Sequence, residues 1–120
     1  MATILVVDDE TAIRALVQAI LEDAGYAVLG ATNGREGLAV LESQMVDLVV
    51  SDVMMPVLDG LGLCLAMRQH PTYRNIPLVL VSAAGRPRPT GACHYAAFLP
   101  KPFDYDYLVT TIARVLHERG

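Results

Sequence analysis

The chain of 120 residues carries 13 acidic and nine basic residues, a net charge of -4, and 53% of it is apolar. That length suits one domain with a core of its own, and an acidic balance without any basic run argues against direct nucleic-acid binding. No apolar run approaches the ~18 residues of a membrane span, and MATILVVDDE turns acidic at once, unlike a signal peptide. Cys64 and Cys93 stand far apart in sequence without metal-ligand spacing, so they read as packed thiols of a cytoplasmic protein.

Thr3 to Val7 is an apolar strand that ends on Asp8-Asp9. From Thr11 the spacing turns helical, with Ile13, Leu16, Val17, Ile20, Leu21 and Ala24 at helical intervals and Gly25 as the stop. Tyr26 to Ala31 predicts a second strand, and Asn33 is suited to cap a helix carrying Leu38 and Leu41. Asp47 to Ser51 is a third strand, apolar enough to be buried on both faces, and it delivers Asp52 at its end. An apolar turn with Pro56 follows, and Asp59 caps a helix to about Gln69 that is expected to bury Leu61, Cys64, Leu65 and Met67. His70-Pro71 ends that helix, because the residue before proline disfavours helical geometry. Ile76 to Val81 is a fourth strand leading to Ser82. GRPRPT is a loop, and only Pro89 to Tyr95 has room for a short helix. Ala96 to Leu99 is a brief fifth strand before Pro100-Lys101-Pro102, and a last helix from about Asp104 to His117 buries Leu108, Ile112 and Val115 or Leu116.

Strands alternating with helices imply an α/β fold: a doubly wound, five-stranded parallel sheet in the flavodoxin-like order 2-1-3-4-5, with right-handed crossovers. In such sheets ligands bind at the carboxyl ends of the strands, beside the switch point between the first and third. Asp8, Asp9, Asp52, Ser82 and Lys101 all converge there. Asp52 taken alone is equally a turn-capping aspartate. Taken together, three carboxylates repel, at ~4 kcal/mol for two unit charges 4 Å apart at an effective dielectric of about 20. A protonated acid would relieve this; a hard divalent cation with oxygen ligands relieves it better, and Mg²⁺ accepts one or two carboxylates along with phosphate oxygens. Neither His nor Cys is in the set, which argues against zinc. Lys101, the one lysine among nine basic residues, and the Ser82 hydroxyl could both donate to phosphoryl oxygens. A carboxylate in that company can itself be the nucleophile.

Through VVDDE, SDVMMPVLDG, LVSA and LPKPF, four motifs in this order, the whole chain, residues 1–120, resembles a single receiver domain of the bacterial two-component response regulators. The resemblance implies a Mg²⁺-dependent switch that takes a phosphoryl group from a sensor histidine kinase or phosphotransfer protein. It makes Asp52 the phosphoacceptor, Asp9 and Asp52 direct Mg²⁺ ligands, Asp8 a ligand mostly through water, and the Met54 carbonyl a further ligand. Lys101 would pair with a phosphoryl oxygen across a cis bond to Pro102, and Ser82 would move toward the phosphoryl group, letting Phe98 swing inward.

The chain departs from the family pattern in two places. The interval from Ser82 to Lys101 is about one helical turn short, so the fourth helix is expected to be short, irregular or absent. His94-Tyr95-Ala96-Ala97-Phe98 also replaces the usual approach to the switch aromatic, which leaves open how the 85–119 face meets a homodimer mate or an output partner. Tyr95, Tyr105 and Tyr107 could form an aromatic patch there, with Tyr105 the one expected to be buried. Met54 and Ala84 offer no polar group to hold a hydrolytic water, so dephosphorylation is expected to be slow. The competing reading is a Mg²⁺-dependent aspartyl-nucleophile phosphohydrolase of the haloacid-dehalogenase-like type, but its acid/base position, two residues after Asp52, is Met54. A flavin carrier on the same sheet would set phosphate against Asp8-Asp9-Glu10.

Overall fold

The computed structural model describes residues 1–87 and 93–119. Five parallel strands, β1 (Thr3–Val7), β2 (Ala27–Ala31), β3 (Leu48–Asp52), β4 (Leu78–Ser82) and β5 (Ala97–Pro100), form one sheet in the order β2-β1-β3-β4-β5. Helices α1 (Thr11–Asp23), α2 (Gly34–Ser43), α3 (Gly60–Gln69) and α4 (Tyr105–Arg119) complete the doubly wound arrangement that the apolar strand runs predicted. All five residues of β3 and of β4 are buried, as central strands covered on both faces must be.

Side-chain alternation along each strand divides the core in two. Leu5, Val7, Val49, Leu78 and Leu80 pack with Leu41 of α2 and Leu63, Cys64 and Met67 of α3. On the other face Ile4, Val6, Val50, Val79 and Val81 pack with Val17 and Leu21 of α1 and with Leu108, Ile112 and Val115 of α4. Local signals set the helix ends. Asn33 accepts from the Glu36 amide at 2.9 Å and Asp59 from the Gly62 amide at 2.7 Å, each meeting one of the unpaired first-turn donors. Gly25, at a φ of 99°, takes the left-handed turn that closes α1.

Several expectations need correcting. Leu16 and Leu65 are exposed and Leu63 is fully buried, because the inward arc of α1 is centred on Val17 and Leu21, and that of α3 on Leu63, Cys64 and Met67. Tyr105 is not buried in the last helix: it is 43% exposed and donates its phenolic hydrogen to Asp23 at 2.7 Å. Residues 88–92, where most of the short helix from Pro89 was expected, lie outside the described residues. Among the described residues between β4 and β5 there is no helix. The approach to β5 is held instead by Arg68 of α3, whose guanidinium donates to the carbonyls of His94 at 2.8 Å, Ile76 at 2.9 Å and Arg74 at 3.2 Å.

Candidate functional site

β3, β4 and β5 each end one residue later than the pattern of apolar residues suggests, and that shift is what fixes the site. Asp52 and Ser82 are the last paired residues of their strands, opposite Val81 and Pro100 respectively. Main-chain hydrogen bonds from Val53 to Val81 (2.9 Å) and from Lys101 to Ser82 (2.9 Å) continue the ladder just past them. Asp8 is held in the same way, its amide donating to Ala31 at 3.0 Å. Three of the candidate site's side chains thus rise from clamped backbone, a more accurate mount than a loop gives.

Lys101 reaches back across this edge. Its Nζ lies 3.2 Å from Asp8 Oδ2, 3.5 Å from Asp52 Oδ2 and 3.8 Å from Glu10 Oε1. Asp8 and Asp52 are buried, and oxygens of Asp8, Glu10 and Asp52 lie within 4.8 Å of one another. Three carboxylates therefore face one ammonium. Burial raises the Asp52 carboxyl above its ordinary 3.8; Lys101 opposes the rise and Asp8 adds to it. Burial on its own would lower Lys101, but Asp8, Asp52 and Glu10 together carry it above its ordinary value. Its bond to Pro102 is cis, as the resemblance implied.

Glu10 is the residue that sequence reasoning missed. Its amide donates to Asp8 Oδ1 at 2.9 Å, so the turn after β1 folds back and brings the Glu10 carboxylate over the edge. A signal was present, since i to i+2 bonding of this kind is an aspartate habit at turns. Asp9 is on the exposed side of the same turn, outside the 4.8 Å cluster. Ser82 is buried, with its Oγ accepting from the Ala84 amide at 3.0 Å. Phe98 pairs with Leu80 in register, so strand alternation sets it on the same sheet face as Ser82. Its ring is half-buried, and the Arg86 guanidinium sits 5.7 Å from its centroid. The Met54 side chain is exposed, and its main chain hydrogen-bonds to Asp52.

The donor set is all oxygen, two of its three carboxylates are buried, and the negative charge exceeds what one ammonium offsets. These are the requirements of a hard divalent cation of the Mg²⁺ type. No described helix is long and apolar enough to cross a membrane.

Comparison with known proteins gives a consistent result. The family model for the response regulator receiver domain matches residues 4–113. The response regulator Rre1 of Synechocystis sp. is 37% identical over 95% of this chain and 51% of its own length. The probable transcriptional regulator ycf27 of Pyropia yezoensis is 40% identical over 94% of this chain and 46% of its own. The chain thus spans about half the length of these curated relatives. Among solved structures, the chemotaxis response regulator CheY4 of Vibrio cholerae has a TM-score of 0.85 at 35% identity, covering 96% of this chain and 98% of that one. The response regulator TrrA of Thermotoga maritima, solved in complex with Mg²⁺ and BeF, has a TM-score of 0.86 at 31% identity, covering 96% and 99%. The phosphohydrolase alternative finds no support beside this match. With its sheet order, its strand-end carboxylates and lysine, and a family match over almost its full length, the chain belongs to the receiver domains of two-component response regulators.

Proposed function

We propose that Asp52 is the phosphoacceptor of this receiver domain and that the chain works as a phosphorylation-controlled switch rather than as a turnover enzyme. The observation that carries this reading is the position of Lys101 Nζ, shared between Asp8 and Asp52 at a clamped sheet edge. The donor would be the phosphohistidine of a sensor kinase or phosphotransfer protein. A carboxylate oxygen of Asp52 attacks phosphorus, the phosphorus–nitrogen bond breaks, and the departing imidazole nitrogen keeps the electron pair. Mg²⁺, held by Asp8 and Asp52 with Asp9 or Glu10 and the Met54 carbonyl, would neutralise charge on the phosphoryl oxygens. Lys101 pairs with one of those oxygens once it is released from Asp52, and the Ser82 hydroxyl donates to another.

The change then passes along the sheet. Turning Ser82 toward the phosphoryl group ends its contact with the Ala84 amide and vacates space on the face it shares with Phe98, whose ring moves inward. The 85–119 face, which includes Arg86, Tyr95 and Phe98, is where an output partner or a second copy would read the state. On the donor side, an apolar hollow lined by Ile13, Leu16, Ala83, Pro102 and Phe103 opens beside Lys101 and suits the kinase or phosphotransfer protein. We assign no nucleic-acid contact to this domain, since the chain's net charge is -4 and it has no basic run.

Incubation with acetyl phosphate and Mg²⁺, followed by intact mass measurement, tests the reading. One phosphoryl group on the wild type and none on Asp52→Asn is expected. Steady turnover of a small phosphomonoester, or equal labelling of the variant, would overturn it. The absence of a polar side chain at Met54 and Ala84 leads us to expect an aspartyl-phosphate lifetime well beyond seconds in the same assay.

A further inference from the structure

The two cysteines, 29 positions apart in sequence, meet in the core. Cys64 faces inward from α3 and is fully buried; Cys93, on the irregular stretch before β5, is 3% exposed. Their sulfurs stand 2.6 Å apart as free thiols, about half an ångström longer than the ~2.05 Å of a covalent bond. The two sulfurs therefore face each other in direct contact, as that bond requires. A second contact fixes the partners, since Cys64 Sγ also lies 3.5 Å from the His94 carbonyl, which accepts from Arg68 at 2.8 Å as well.

We infer that Cys64 and Cys93 are a reversible redox pair, closing to a disulfide that ties α3 to the stretch leading into β5, the strand that carries Phe98. This goes beyond phosphoryl transfer and stands on the thiol geometry alone. The oxidant is a low-molecular-weight disulfide such as oxidised glutathione. The Cys93 thiolate attacks one of its sulfurs and expels one glutathione thiolate, leaving a mixed disulfide on Cys93. Cys64 then loses its proton and attacks Cys93 Sγ, and a second glutathione thiolate leaves; two thiols are oxidised and one glutathione disulfide is reduced to two glutathiones. Cys93 takes the first step for two reasons. Cys93 lies outside helix and strand, where local opening costs less than within α3, and burial together with the neighbouring Cys93 pushes the Cys64 thiol up to about 12, which leaves Cys64 a poor first nucleophile.

With the bond closed, residues 93–98 are joined covalently to α3, so the redox state sets how far the entrance to β5 moves. The test incubates the full chain with oxidised glutathione at neutral pH, without denaturant, and reads intact mass and amide hydrogen exchange. The expected product is a monomer lighter by two hydrogen atoms, restored by dithiothreitol, with exchange across residues 94–98 slowed at least about fivefold. Cys64→Ala and Cys93→Ala should each fail to give that species. Wild-type protein that keeps both thiols, stops at a glutathione adduct, or cross-links between two chains would overturn the inference.

Discussion

Gly60 is the test of how firmly Asp52 is mounted. It opens α3, and an ideal Cβ there would stand 2.9 Å from Val53 Cα and 3.1 Å from the Asp52 carbonyl carbon, and closer still to the Asp52 carbonyl oxygen. Ordinary contact begins near 3.4 Å. Main chain would therefore have to retreat by about half an ångström or more, and this main chain is pinned by Val53 to Val81 and Gly60 to Val53 hydrogen bonds, both 2.9 Å. Overpacking of this kind costs about 1–3 kcal/mol, against up to ~1 kcal/mol gained from replacing glycine in a helix. Gly60→Ala should thus lose about 1–2 kcal/mol, which lowers the urea midpoint by about 1 M. Gly62→Ala is the control, since the three atoms nearest its Cβ all belong to the side chains of Leu58 and Asp59, the closest being Leu58 Cδ1, the far end of a rotatable side chain, at 2.5 Å. It should stay within about 1 kcal/mol of wild type. A Gly60→Ala protein as stable as wild type, or a Gly62→Ala protein that loses more, would show that the end of β3 yields freely.

Other outcomes follow from the same geometry. Lys101→Met leaves three clustered carboxylates without their ammonium and should cost about 2–4 kcal/mol at neutral pH, since one partner of a largely buried pair is removed. That loss should shrink as pH falls and the carboxyls protonate; an unchanged urea midpoint at pH 7 would refute it. Because burial lifts the Asp52 carboxyl above 3.8, the folded state holds this proton to higher pH than the unfolded chain does. Its contribution to stability is therefore greatest at low pH and declines as pH rises from 3.8 through the folded value. Asp52→Asn should accordingly become the more stable protein as pH rises through that window, and parallel midpoint-against-pH curves for the two proteins would contradict this. Val57, 72% exposed at a φ of 72°, is a β-branched residue in left-handed geometry. Val57→Asn should stabilise the fold by about 0.5–1.5 kcal/mol, read by thermal melting; a lower melting temperature would mean the strain is not relieved there.

What was legible in the sequence was whatever depended on a repeating pattern or a local cap. The apolar runs of β1 to β5 gave the sheet, and Asn33, Asp59 and Gly25 marked helix ends through bonds to nearby backbone. Strand ends are harder to read, because a polar residue looks like the end of a strand while main-chain pairing carries β3 and β4 through Asp52 and Ser82. Periodicity shows that α1 and α3 are amphipathic but leaves the edges of the buried arc open, so Leu16 and Leu65 fall outside it while Leu63 falls inside. The carboxylate cluster was readable as strand ends, whereas the entry of Glu10 needed the conformation of one turn. The meeting of Cys64 and Cys93 depends on where an irregular segment crosses α3, and no local pattern encodes that.

Of all the carboxylates at this edge, we propose that Asp52 carries the phosphoryl group. Reduction of the acetyl phosphate-treated, Mg²⁺-loaded protein with borohydride converts an aspartyl phosphate to homoserine, and peptide mass spectrometry then locates it. Homoserine at position 52 alone is the expected result. Homoserine at Asp8 or Asp9 instead, or labelled protein with an intact Asp52, would show that another carboxylate is the acceptor.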